Sequence, residues 1–87
     1  MGYKVIFSNT SLKTLNKLDN SIRTKIIKFL DREVLKENPR AFGKALQYKL
    51  SGLWRYRVKN FRILADIRND VLTVLIIDIG DRSDVYK

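Results

Sequence analysis

From Trp54 to Lys59 the chain alternates strictly, with Trp54, Tyr56 and Val58 on one set of positions and Arg55, Arg57 and Lys59 on the other. Successive side chains of a strand point to opposite faces, so this stretch is a strand with one apolar and one basic face. Asn60 supplies a tight turn into a second strand, "FRILADI", and Asn69-Asp70 supplies another into "VLTVLIIDIG". That last run is apolar on both alternating sets and reads as a central strand buried on both faces. A meander with an apolar face needs a cover, and the chain upstream provides one.

"YKVIFS" (Tyr3 to Ser8) is aromatic and β-branched and reads as a first strand. Leu12, Leu15 and Leu18 recur behind the capping candidates Thr10 and Ser11, which predicts a short helix ending near Asp19 and Asn20. Ile22, Ile26, Phe29, Leu30 and Val34 then mark a second helix, capped by Ser21 and stopped ahead of Pro39. Its other face carries Arg23, Lys25, Lys28, Arg32 and Lys36, partly offset by Asp31, Glu33 and Glu37, and reads as a solvated surface. Residues 40–52 form a connection that ends in a short extended piece, "LQYKL", before the turn signal Ser51-Gly52. The predicted fold class is α+β in the order β-α-α-β-β-β: a small antiparallel twisted sheet with two helices packed on one face. No repeat or linker interrupts it, so residues 1–87 are read as a single domain.

Charge narrows the function. The 87 residues carry 18 Lys and Arg against 9 Asp and Glu, a net +9, which makes a polyanion the expected class of partner. Between Asn38 and Ala65 there is no acidic residue, yet that span holds Arg40, Lys44, Lys49, Arg55, Arg57, Lys59 and Arg62. Like charges facing one another across a sheet repel, so a strand face of one sign implies an anionic partner. Protection of a strand edge by cations is the other reading, but these arginines fall on two consecutive strands. The planar guanidinium suits phosphate, while alternation assigns Trp54 and Tyr56 to the core. With no Cys and no His, thiolate nucleophiles, disulfides and imidazole acid–base chemistry are excluded, and neither a metal nor a cofactor is expected. No apolar run approaches membrane-spanning length and no secretory h-region opens the chain, so a cytoplasmic protein without a membrane partner is expected.

The closing "IGDRSDVYK" places Arg82 and Tyr86 four apart after a Gly that ends the last strand. With "KLSGLWRYRVKNFRILADI" and "VLIIDIGDRSDVY", the chain resembles the RelE-type toxins of the RelE/ParE superfamily, small basic ribonucleases of bacterial type II toxin–antitoxin systems. The resemblance implies a toxin that binds the ribosomal A site and cleaves mRNA there without a metal, using the substrate's own 2′-hydroxyl as nucleophile. It implies that Arg62 contacts the scissile phosphate, that Arg82 stabilises the transition state, and that Tyr86 stacks on the nucleotide. Where the best-known sites of this type carry two lysines, this chain has Arg55 and Arg57, with Arg57 in the catalytic row and Arg55, Lys59, Lys49 and Lys44 as RNA-binding cations. Arginine holds its proton too firmly to serve as an efficient base, so that role is left to Lys59, Lys49 or a ribosomal group. Asp81 stands where many relatives have His. The implied partners are the ribosome, mRNA and a cognate antitoxin, forming a hetero-oligomer. The alternatives are a ParE-like inhibitor that binds DNA gyrase, or a catalytically weak basic RNA-binding relic.

Overall fold

The computed structural model describes residues 2–81. One five-stranded sheet holds β1 (Lys4–Phe7), β2 (Lys44–Ala45), β3 (Trp54–Val58), β4 (Phe61–Arg68) and β5 (Thr73–Asp81) in the spatial order β1-β5-β4-β3-β2. Helices α1 (Asn9–Lys17), α2 (Asn20–Leu30) and α3 (Glu33–Glu37) lie between β1 and β2 in the chain. The core is a single cluster that joins Leu15, Ile26, Leu30 and Leu35 from the helices to Tyr56, Ile63, Ala65, Val74, Ile76 and Ile79 from the sheet. The expected α+β architecture is present, and the alternation that opens the sequence sets its faces: Tyr56 is fully buried while Arg57 beside it is exposed.

Three features depart from the sequence reading. The first is direction. β1 pairs parallel with β5, from Lys4 opposite Thr73 to Phe7 opposite Ile76, so the sheet is mixed rather than wholly antiparallel. The helices carry the chain from β1 across to the far edge, and the meander brings β5 back beside β1 in the same sense.

The second is the number of helices. A helix running unbroken towards Pro39 would put Val34 on the stripe with Ile26 and Leu30. Instead Arg32 is extended (φ −65°, ψ 136°) and α3 restarts in a new orientation. Leu35 becomes fully buried and Val34 is left 56% exposed. The Lys36 carbonyl then accepts a hydrogen bond from the Tyr3 amide at 2.6 Å, tying α3 to the start of β1. Buried apolar contact and a satisfied backbone amide together outweigh continuity of the helix.

The third lies in the ends and faces of the elements. Ser8 caps α1 by accepting from the Ser11 amide, in place of Thr10 or Ser11, while the fully buried Ser11 hydroxyl donates to the Ile76 carbonyl at 2.9 Å. α2 follows Asp19 rather than Ser21, and Asp19 makes no capping bond through its side chain. The extended piece in the connection is β2, earlier than "LQYKL", whose residues 48–50 form a 3-10 turn. In β5, Leu75 and Ile77 are only half-buried, so this strand is central but covered fully on one face alone. Leu64 pairs with Asp78 and Ala65 with Ile76, which leaves Ile77 as the extra residue of a bulge. That extra residue returns Ile79 to the helix-covered face after Ile76.

Candidate nucleic-acid interface

The face of the sheet turned away from the helices carries the arginines. Arg57 on β3 stands directly opposite Arg62 on β4, and Arg55, two residues back, stands opposite Lys44 on β2. Two residues of strand span roughly 7 Å, so the cations form a ladder across three neighbouring strands. Like charges directly opposite each other destabilise a sheet. Among the described residues no member of this ladder forms an ion pair: the pairs present are Lys36 with Asp31 (2.5 Å) and Arg68 with Asp66 (2.9 Å).

Arg62 is the member with the least freedom. It is half-buried, and its Nε is fully buried with no hydrogen-bond partner. A guanidinium donor in that state loses its water without replacement, which is unfavourable unless an anion arrives. The described residues leave room for one, because Gly80 faces Arg62 across β4–β5 and a Cβ built there would meet none of their atoms within 4 Å.

The strand that presents Arg55 and Arg57 is held from its other face. The Tyr56 hydroxyl donates to the Pro39 carbonyl at 2.5 Å, and Trp54 Nε1 donates to the Phe42 carbonyl at 2.6 Å. Burial pushes the Tyr56 phenol up to about 12, against a smaller downward pull from Arg40, so it stays neutral and structural. Gly43 crosses so close to β3 that a Cβ would sit 2.2 Å from the Arg55 carbonyl oxygen, and its φ of +79° is one that glycine adopts readily. Beside it lies a groove of about 300 Å³ lined by Phe29, Phe42, Gly43, Lys44, Arg55 and Arg57. Arg32 caps the two rings, 5.4 Å from the Phe29 centroid and 5.6 Å from that of Phe42.

The expected site residues therefore divide. Lys44, Arg55, Arg57 and Arg62 converge. Lys59 lies past the end of β3, in the turn to β4, where it and not Asn60 takes the left-handed conformation (φ +56°). There it meets Lys25 of α2, whose pKa lies below the usual lysine range because of the side-chain contact with Lys59, then the Lys59 charge, then burial. Lys49 sits in the 3-10 turn that precedes β3, beyond the strand's opposite end. Asp81 closes β5 opposite Phe61. Arg82 and Tyr86 lie outside the described residues. Phe29 and Phe42 escape the sequence reading as part of a site because they read there as helix stripe and connection. Lys25 is hidden among the other cations of its helix.

A family model described as "ParE toxin of type II toxin-antitoxin system, parDE" matches residues 5–86. The chain belongs to the ParE toxin family. It is a toxin of a type II toxin–antitoxin system with the RelE/ParE fold. Over 87 residues, all of this chain and 99% of the other, it is 31% identical to Toxin RelG of Mycobacterium tuberculosis. It is similar to the toxin–antitoxin complex RelBE2 of the same organism, with a TM-score of 0.85 and 29% identity over 94% of this chain and 100% of that one. The isolated E. coli RelE toxin superposes with a TM-score of 0.74 at 24% identity, over 97% of this chain and 90% of that one, a likeness of fold. Each of these matches spans nearly the whole chain, and the open sheet face here is the one that carries the ladder.

Proposed function

We propose that this toxin is an mRNA endoribonuclease that works in the ribosomal A site and needs no metal. The observation that carries the reading is Arg62: a half-buried guanidinium whose buried Nε has no partner among the described residues, and which faces Arg57, is suited to receive a phosphate. In the reaction the 2′-oxygen attacks the adjacent phosphorus and the bond to the 5′-oxygen breaks. The products are a 2′,3′-cyclic phosphate and a 5′-hydroxyl, with one proton leaving the 2′-oxygen and one reaching the 5′-oxygen. The nucleophile belongs to the substrate, so a chain without His or Cys suffices. Arg62 and Arg57 bind the scissile phosphate and stabilise the charge that builds on its oxygens, the contribution that fixed cations make best. Arg82 completes that stabilisation and Tyr86 orients the nucleotide. Arg55 and Lys44 hold the neighbouring phosphates, and Lys49 and Lys59 extend the track. With arginines on β3 the proton of the 2′-hydroxyl goes to Lys59, at the Arg57 end of the strand, or to a ribosomal group, since Lys49 stands beyond the far end, and the enzyme forgoes part of the roughly 10²- to 10⁴-fold that a tuned base supplies.

The same basic face is where a cognate antitoxin neutralises the toxin, through an acidic or amphipathic segment, in a hetero-oligomer. The complexes of similar toxins with antitoxins support this partner. The matched ParE family favours a second reading, in which the toxin binds DNA gyrase and cleaves nothing. Mapping RNA ends in cells that express the chain separates the two. Cuts within translated codons that end in 2′,3′-cyclic phosphate, lost in Arg62→Ala, uphold the nuclease. Intact mRNA with gyrase-linked DNA breaks upholds the inhibitor.

A further inference from the structure

Tyr48 has no folding reason to be tyrosine. Among the described residues it is the most exposed of the large apolar side chains, at 90%. Its φ is +58°, a left-handed conformation that is unfavourable for a bulky side chain. The same loop uses glycine for such a conformation at Gly52 (φ +95°), so a residue free of that strain is available. The ring makes no hydrogen bond or ring contact with the described residues. Yet the backbone beneath it is fixed: Leu46 donates to Leu53 at 3.0 Å, Leu50 to Gln47 at 3.2 Å, Ser51 to Tyr48 at 3.1 Å and Leu53 to Leu50 at 3.1 Å. An ordered turn thus holds a strained, solvated aromatic ring away from the protein, beside the exposed Lys49.

We infer that Tyr48 is a stacking platform for an unpaired base of the RNA, with Lys49 on the adjoining phosphate, a few nucleotides away from the scissile bond. The inference rests on the nuclease reading above and extends its footprint. The ladder supplies the direction, from Arg62 and Arg57 through Arg55 and Lys44 to the loop that follows β2. Protein hot spots are aromatic rings seated in packed, desolvated pockets, whereas a protruding ring beside a cation, in a span without one carboxylate, is how single-stranded nucleic acid is gripped. Stacking needs a flat π-face and no particular base, so this platform contributes affinity without fixing sequence.

The test measures binding of a ten-nucleotide single-stranded RNA carrying 2-aminopurine to wild type, Tyr48→Gly and Tyr48→Trp, with thermal melts of each. Tyr48→Gly is expected to melt a few degrees higher, because relief of the left-handed strain outweighs the freedom that glycine adds to the unfolded chain. The same variant binds the RNA about 5- to 100-fold more weakly, loses the quenching of 2-aminopurine and keeps the salt slope, since no charge is removed. Tyr48→Trp restores both affinity and quenching. A higher melting temperature with unchanged RNA affinity overturns the inference and leaves the nuclease reading standing. So does unchanged RNA affinity with weakened capture of an acidic antitoxin peptide, which assigns the ring to a protein. Failure of wild type to bind the free RNA overturns the stacking platform, whereas the nuclease reading stands or falls on the RNA ends mapped in cells.

Discussion

Arg57 and Arg62 face each other across β3 and β4 with no carboxylate between them, and the Nε of Arg62 is buried without a partner. Two guanidinium groups so placed oppose folding, so the free toxin holds them ready at the expense of its own stability.

Replacing Arg62 by Leu removes both the repulsion and the orphaned donor while keeping apolar volume next to Leu64. The variant is expected to melt at the wild-type temperature or a few degrees above it, and to lose about 10²- to 10³-fold in RNA cutting. A thermal melt paired with a ribosome-dependent cleavage assay checks this. A large loss of stability would mean that Arg62 is a structural residue.

Tyr56→Phe tests the anchor of β3. The variant leaves the buried Pro39 carbonyl without its donor and should cost about 1–2 kcal/mol at pH 7. The gap depends on pH with a definite sign. The folded phenol titrates at about 12 and an unfolded tyrosine near 10, so below pH 10 both are neutral and the contribution is complete. Above pH 10 the unfolded chain ionises first, and wild type loses about 1.4 kcal/mol relative to the variant by pH 11. Denaturant unfolding at pH 7, 10 and 11 should show the two proteins converging, and a constant gap would contradict the burial of this hydroxyl.

Gly43→Ala is expected to be among the more damaging single-methyl changes in the protein. The new Cβ would meet the backbone oxygen of Arg55 at 2.2 Å and Trp54 Nε1 at 2.8 Å, and the φ of +79° disfavours any side chain. Relief requires the connection to move away from β3, which strains the Trp54 bond to the Phe42 carbonyl and opens the groove. A loss of about 2 kcal/mol or more follows, and Gly52→Ala, whose Cβ meets nothing within 4 Å, should lose less despite its φ of +95°. Equal losses would place the effect in the backbone angle alone.

The contrast between β3 and α3 explains how much of this was legible in the sequence. Period two in "WRYRVK" gives both faces of β3 directly, and with them the ladder and the buried Tyr56. The break at Arg32 has no local marker, since neither Pro nor Gly stands there; it follows from Leu35 entering the core and from the Lys36 carbonyl meeting Tyr3, both long-range. The parallel pairing of β1 and the bulge at Ile77 are likewise tertiary, although the step from Ile76 to Ile79 hints at the second. Within the site, Arg55, Arg57, Arg62 and Lys44 are brought together as their residue types suggest. Lys49 and Lys59 separate because the two ends of β3 carry them apart, and Tyr48 stands out only when its backbone angle and exposure are seen together.

The ladder also predicts how affinity responds to salt. Each phosphate neutralised on a single strand contributes about −0.7 to the slope of log K against log salt concentration. Lys44, Arg55, Arg57 and Arg62, with Lys49 beside Tyr48, engaging four to five phosphates, should give a slope of about −3 to −3.5 for a short single-stranded RNA. Arg57→Leu should make it shallower by about 0.7, whereas Arg68→Ala, which removes a cation already paired with Asp66 at 2.9 Å, should leave it unchanged. Titrations between low and physiological salt measure all three. Net charge alone would make every cation count alike, so equal effects at Arg57 and Arg68 would replace a built track with a diffuse field. A slope near zero would remove phosphate as the ligand and turn the ladder towards a protein surface, as the gyrase reading requires.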